Sequence, residues 1–148
     1  MIVSAYFTFA PQPDSEQIGQ SVVVGQTGWE TVLKNNKQTF ASQFLQRSRF
    51  TTALPTTMTP AQFVDKLNQN AGGVLSMTDR TMLINLFGNA TDTSNPTPRA
   101  QALRQVAENQ NLSNSEFNRA FVLMEFFGYL RRDPNSGQDS DYTAMISG

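Results

Sequence analysis

Apolar residues recur every three or four positions along most of the chain, which is the period of a helix with one buried face. The pattern is clear at Trp29, Val32 and Leu33, and it continues to Gln46. The other segments with this spacing are 59–72, 76–88, 97–107 and 113–132. The spacing therefore predicts an all-α fold with about five helices.

Capping residues mark the predicted helix starts. A hydroxyl residue followed three positions later by an acid or amide forms a capping box, in which each side chain pairs with a free backbone N–H group. Such pairs are Thr27 and Glu30, Thr59 and Gln62, Ser76 and Asp79, and Ser113 and Glu116. The prolines at 60 and 98 suit first helical positions, because proline has no N–H group to leave unpaired there.

The segment before Thr27 has a different character. Residues 21–25 form a short apolar run, but no second strand is evident to pair with it. We expect residues 1–26 to form an extended arm or linker, with at most one helical turn near Ser15–Gly19. Residues 27–148 are then predicted to form a single helical domain.

The last predicted helix, at about 114–131, is apolar on nearly every side. A helix of this kind is usually central and surrounded by others. Glu125 lies in its middle, and a buried carboxylate needs a partner. We expect an ion pair with Arg49, Arg104 or Arg119 rather than a catalytic role.

Composition narrows the chemistry. The 148 residues include neither cysteine nor histidine, which removes thiol nucleophiles, histidine acid–base catalysis and the usual zinc sites. The net charge of -1 argues against nucleic-acid binding. No apolar run is long enough to enter a bilayer as a span, and the first residues do not resemble a signal peptide. We predict no catalytic residue, no enzyme activity and no cofactor other than calcium.

Oxygen ligands alternate along the segment 133–141. The proposed calcium ligands are Asp133, Asn135, Asp139 and Asp141. Alternating ligands wrap a cation in helix–loop–helix calcium sites, although Gly137 lies one position early and Ala144 stands where a bidentate glutamate is usual. The alternative is a helix end and turn, in which Pro134 stops the helix.

One stretch carries a family resemblance. The string "FNRAFVLMEFFGYLRRDPN", followed by an acidic turn and an aromatic residue, resembles the signature of the domain-of-unknown-function 4214 family. It is most similar to the version found in large surface proteins of soil bacteria such as acidobacteria. Residues 18–76 and 99–121 resemble the segments upstream of that signature, so the likeness spans about residues 14–142.

The resemblance implies an all-α fold, distantly similar to phycobilisome linker domains, with no established enzyme activity. It also implies an extracellular or cell-surface setting. The family continues into a tryptophan-bearing helix where this sequence has "DYTAMISG". We therefore expect the apolar faces of this chain to be covered by another protein. That protein would be a second copy in a homo-oligomer, or neighbouring copies in a filament or surface layer. The predicted interface residues are Ile2, Val3, Tyr6, Phe7, Phe9, Tyr142, Met145 and Ile146.

The calcium hypothesis makes a thermal prediction. If the loop binds calcium in the folded state only, about 10 mM calcium should raise the melting temperature by several degrees. The double substitution Asp139→Asn and Asp141→Asn should abolish that rise. A melting temperature that is unchanged by calcium, together with no heat in a calorimetric titration, would exclude the site.

Overall fold

The computed structural model describes residues 13–125 and Ala144, with side chains from Glu16 to Met124. Within residues 13–125 it contains seven helices and no strand, which confirms the all-α prediction. The helices are α1 (Pro13–Gly19), α2 (Trp29–Phe44), α3 (Ser48–Ala53), α4 (Pro60–Asn70), α5 (Met77–Asn85), α6 (Pro96–Ala107) and α7 (Gln110–Glu125).

The chain divides into two compact units, Met1–Asn109 and Gln110–Gly148. The first contains α1 to α6, and α7 belongs to the second. The helix predicted at 114–131 overlaps α7, but its last part lies outside the described residues. That residues 27–148 act as a single domain remains a prediction.

Helix α1 corrects the expectation of an extended arm over the described part of residues 1–26. It is a helix of seven residues, longer than the single turn that the sequence suggested. The Asn36 side chain on α2 donates to the carbonyls of Ile18 and Gln20 at 3.0 and 2.8 Å. The amide of Gln17 donates to the Gln43 side chain at 2.7 Å. Residues 13–20 are therefore held against α2.

The start of α2 also differs from the prediction. Thr27 and Glu30 do not form a capping box, because the N-cap is Gly28 and no side chain caps the helix. Gly28 has a φ of 86°, a left-handed conformation that glycine adopts without steric cost. This turn leaves Thr27 outside the helix and the Glu30 carboxylate free of a capping role.

Two capping boxes form as predicted. The Thr59 hydroxyl accepts from the Gln62 N–H at 3.3 Å, and the Thr59 N–H donates to the Gln62 side chain at 3.0 Å. Ser76 and Asp79 make the same reciprocal pair at 3.0 and 3.3 Å. Both helices start where these local bonds satisfy the first backbone donors.

One helix was not predicted, and two others begin earlier than predicted. Helix α3 was not predicted at all, and it carries the buried Phe50. Helix α6 begins at Pro96 rather than at the predicted Pro98, because the Asn95 side chain accepts from the Thr97 N–H at 3.0 Å and caps the helix in place of Thr97. Helix α7 begins at Gln110, three residues before the predicted cap at Ser113.

Within the first unit, α1 packs on α2, α2 on α6, α6 on α4, and α4 on α5. Six of the twelve residues of α6 are buried, so α6 is the inner helix of this unit. A series of neighbouring phenylalanine rings crosses the core, with successive centroids 5.5–6.5 Å apart. Its members are Phe40, Phe44, Phe50, Phe63 and Phe87.

Arg99 on α6 lies inside this aromatic core with only 2% of its surface exposed. Its guanidinium lies 4.4 Å from the ring centre of Phe63 and 5.5 Å from that of Phe50. It donates to the Thr93 hydroxyl at 2.6 Å and to the carbonyl of Leu54. Among the described residues no carboxylate pairs with Arg99, so aromatic faces and neutral oxygens compensate its charge.

Thr93 extends this contact to a second loop. It is fully buried, and its N–H donates to the Thr56 carbonyl at 3.0 Å. On the exposed side, the Ser94 N–H and hydroxyl donate to the Asp92 carboxylate at 3.0 and 2.7 Å. These bonds lower the pKa of Asp92. Arg99 and Thr93 together fasten the loop before α6 to the residues that follow α3.

Replacing Arg99 with methionine should destabilise the protein by about 2–4 kcal/mol, because the Leu54 carbonyl and the Thr93 hydroxyl lose a buried charged donor. Urea denaturation followed by circular dichroism measures the change. Arg119→Met, which removes an exposed arginine with an ion pair at 3.2 Å, is the matched control and should change stability little. Equal stability of Arg99→Met and the wild type would contradict this role.

A further prediction concerns the ion pair between Asp65 on α4 and Arg80 on α5. Arg80 donates to both oxygens of Asp65, at 2.6 and 2.8 Å, and these hydrogen bonds lower the pKa of Asp65. A carboxyl whose pKa is lowered by folding stabilises the fold above its unfolded pKa of about 3.9 and loses that contribution as the pH falls further. Asp65→Asn should therefore be less stable than the wild type at pH about 7, and the difference should shrink below pH about 4. Urea denaturation at both pH values is the measurement, and a pH-independent difference would contradict the assignment.

Candidate functional site

Helix α7 exposes three large apolar side chains on one face. Phe117, Phe121 and Met124 are 70%, 51% and 67% exposed. They are separated by four and then three positions, the spacing that aligns side chains along one side of a helix. We call these three residues the α7 stripe.

Another side of the same helix is buried. Leu112 and Val122 are 2% and 5% exposed, and neither shares a face with the α7 stripe at 3.6 residues per turn. An ordinary surface helix has one apolar face, which it buries, and a polar face towards water. Helix α7 therefore has a second apolar face beyond the one that its own burial requires.

The described side chains beside the α7 stripe are polar and uncharged. Ser113, Asn114 and Asn118 flank it. Glu116 and Arg119 lie further round the helix, and they pair with each other at 3.2 Å. The described surface around the stripe therefore carries little unpaired charge.

Elsewhere among residues 16–124, exposed apolar residues do not form such a row. The others are Val23 and Val24 in the loop before α2, and Met77 and Met82 on α5. Met77 and Met82 are five positions apart, so they do not share one helix face. Apolar residues scattered singly or in pairs are normal on protein surfaces.

Most of the predicted site residues lie outside the described residues. This applies to the calcium ligands Asp133, Asn135, Asp139 and Asp141, and to the interface residues Ile2, Val3, Tyr6, Phe7, Phe9, Tyr142, Met145 and Ile146. It also applies to the side chain of Glu125. Of its proposed partners, Arg104 lies 3.6 Å from Glu108, and Arg119 pairs with Glu116.

Across residues 13–125, no group of three or more acidic side chains is placed to hold a metal ion. Over the same residues, no helix combines the length and apolar character that crossing a membrane requires.

The apolar pattern of α7 predicts that the stripe residues are buried, because a helix apolar on all sides is usually surrounded, whereas the structure exposes them. The apolar pattern identifies these residues, but it does not show that their side chains are exposed to solvent. Exposure depends on which elements pack on a helix, and helical periodicity carries no information on that point.

No family model matches the chain, and no curated protein or solved structure matches it either. The resemblance to the domain-of-unknown-function 4214 family therefore stays a prediction, based on the sequence strings given above.

Proposed function

We propose that the chain is a non-enzymatic structural module that associates with a second copy of itself through the α7 stripe. The observation that supports this proposal is the row of three large apolar side chains, each more than half exposed, on one face of α7. Water contact with such a row is unfavourable, and pairing two rows removes both from water.

The size of the stripe fits a weak contact. Two phenylalanines and one methionine exposed to this degree present on the order of 300 Å² of apolar surface. Apolar patches of this size often mark interaction surfaces, whereas stable interfaces bury about 800 Å² on each partner. We therefore expect reversible self-association with a dissociation constant on the order of 100 µM.

The scarcity of unpaired charge among the described side chains beside the stripe favours a second copy as the occupant. In a two-fold interface the same patch meets itself, so a charge near the axis faces an identical charge. The flanking serine and asparagine side chains avoid that repulsion, and the pair of Glu116 and Arg119 at 3.2 Å is internally neutralised. A partner recognised by charge would instead need an excess of one sign beside the stripe.

We place this module in a bacterial extracellular or cell-surface assembly, of the filament or surface-layer type. This part of the proposal is supported by the sequence resemblance and by the low content of charged residues, 16%. The alternative, a calcium-binding helical module, depends on residues 133–141.

The α7 stripe is tested by the double substitution Phe117→Gln and Phe121→Gln. Both side chains are largely exposed, so the change should leave the fold intact, because glutamine suits a helix. Sedimentation velocity over a range of concentrations should show reversible dimers for the wild type and monomers for the double variant. The dissociation constant should rise at least tenfold.

Met77→Gln is the matched control, because Met77 is 75% exposed but lies on α5. It should associate like the wild type, and circular dichroism should show the same helix content in all three proteins. A monomeric wild type at every concentration, or equal weakening by Met77→Gln, would overturn the proposal. Association of the wild type that is insensitive to the double substitution would place the contact elsewhere on the chain.

A further inference from the structure

A groove of about 250 Å³ lies between α2 and the end of α6. Trp29 and Leu33 supply its apolar part, and Lys34 and Arg104 are among its charged lining residues. All of its lining residues belong to the unit that ends at Asn109, and none belongs to the α7 stripe.

One carboxylate in the groove is already neutralised. Glu108 accepts from Lys37 at 2.9 Å, and its other oxygen lies 3.6 Å from the Nε of Arg104. The first distance is that of a charge-assisted hydrogen bond, whereas the second is too long for one. The Glu108 carboxylate therefore has a hydrogen bond from Lys37, but it does not form one with Arg104.

Arg104 has unused hydrogen-bonding capacity. Its Nε is buried without a hydrogen-bond partner. Its Nη1 reaches the Lys34 carbonyl only at 3.5 Å. A guanidinium has five donors and pairs best with a carboxylate through two parallel bonds. Among the described residues, Arg104 thus contacts only acceptors at 3.5 Å or more, and a ligand would reach its Nη groups because its Nε is closed to solvent.

Lys34 adds a second available cation. It is exposed, and within the part of the chain that the structure describes it has no ion pair. Three cations, Lys34, Lys37 and Arg104, and two acids, Glu30 and Glu108, line the groove, which leaves a local charge of +1 on a chain of net charge -1. The groove therefore favours a ligand with a single negative charge.

We propose that this groove binds a small aromatic carboxylate. The ring packs against Trp29 and Leu33, and the carboxylate lies between Lys34 and Arg104. Offset or edge-to-face contact between aromatic rings adds to the gain from burying the ring. Both cations can donate charge-assisted hydrogen bonds to the carboxylate. Neither side chain makes a short hydrogen bond within the described part of the protein.

The volume limits the ligand to about one ring. Pockets for drug-sized ligands measure roughly 300–1,000 Å³, and this groove lies just below that range. For a ligand of about ten heavy atoms in an open groove, we expect a dissociation constant on the order of 1 mM.

Trp29 is the only tryptophan of the chain, so its fluorescence and its indole N–H resonance report on the groove directly. The full chain is titrated with benzoate, and in parallel with benzamide, which has the same ring without the charge, and with acetate, which has the charge without the ring. Benzoate should produce saturable changes in both signals, and its affinity should exceed that of either control at least tenfold. Added salt should weaken the binding of benzoate, because part of the attraction is between partly exposed charges.

Three substitutions separate the site from general charge effects. Lys34→Gln should weaken benzoate binding about tenfold, because it removes a charged donor. Glu30→Gln should strengthen it severalfold, because a repelling carboxylate is lost. Lys66→Gln, which removes an equal charge from a lysine whose described bond is to Gln69 at 2.8 Å on α4, should leave the affinity unchanged.

Linear quenching without saturation, or equal responses to benzoate and benzamide, would overturn the proposal. A loss of affinity in Lys66→Gln as large as that in Lys34→Gln would also overturn it. These outcomes are independent of self-association, because the monomeric variant Phe117→Gln with Phe121→Gln keeps every lining residue and should bind benzoate with the affinity of the wild type.

Discussion

The buried guanidinium of Arg99 is the contact on which the first unit depends. It joins the end of α3 through Leu54, the loop before α6 through Thr93, and α4 through the ring of Phe63. An arginine in a hydrocarbon core is costly unless its donors are satisfied. Here that need fixes the Leu54 and Thr93 segments, since moving either leaves a buried polar group unpaired, while the Phe63 ring adds an aromatic face beside the charge.

Helix α6 connects this core to the outer surface. Near its start Arg99 points into the aromatic core, and near its end Arg104 lines the groove beside α2. The two arginines are five positions apart, so they leave different sides of the helix. Arg99 therefore has short hydrogen bonds to buried acceptors, whereas the nearest described acceptors of Arg104 lie at 3.5 and 3.6 Å. Anchoring at Arg99 holds the helix that forms one wall of the groove, and a preorganised binding site would need such support.

Features that depend on neighbouring residues were predicted in part, since the capping boxes at Thr59 and Ser76 form whereas those expected at Thr27 and Ser113 do not. The caps at Thr59 and Ser76 form because their hydrogen bonds close within four residues. Features that depend on distant residues were missed. One of these features is α3, a short helix whose buried Phe50 packs against Phe44 and Phe63. The burial of Arg99, the groove beside Trp29 and the exposure of Phe117 arise only when helices meet, and local patterns do not record how they meet.

The presence of arginine at the core contact also determines how that contact responds to pH. Burial lowers the pKa of Arg99, but a guanidinium stays protonated at any pH that a folded protein tolerates. The chain has no histidine and no cysteine, so its side chains include none of the types that ordinarily titrate between pH about 5 and 8. The charge at the centre of this core is therefore the same in mildly acidic and mildly basic water. The contact among Arg99, Leu54 and Thr93 would thus hold equally in either setting.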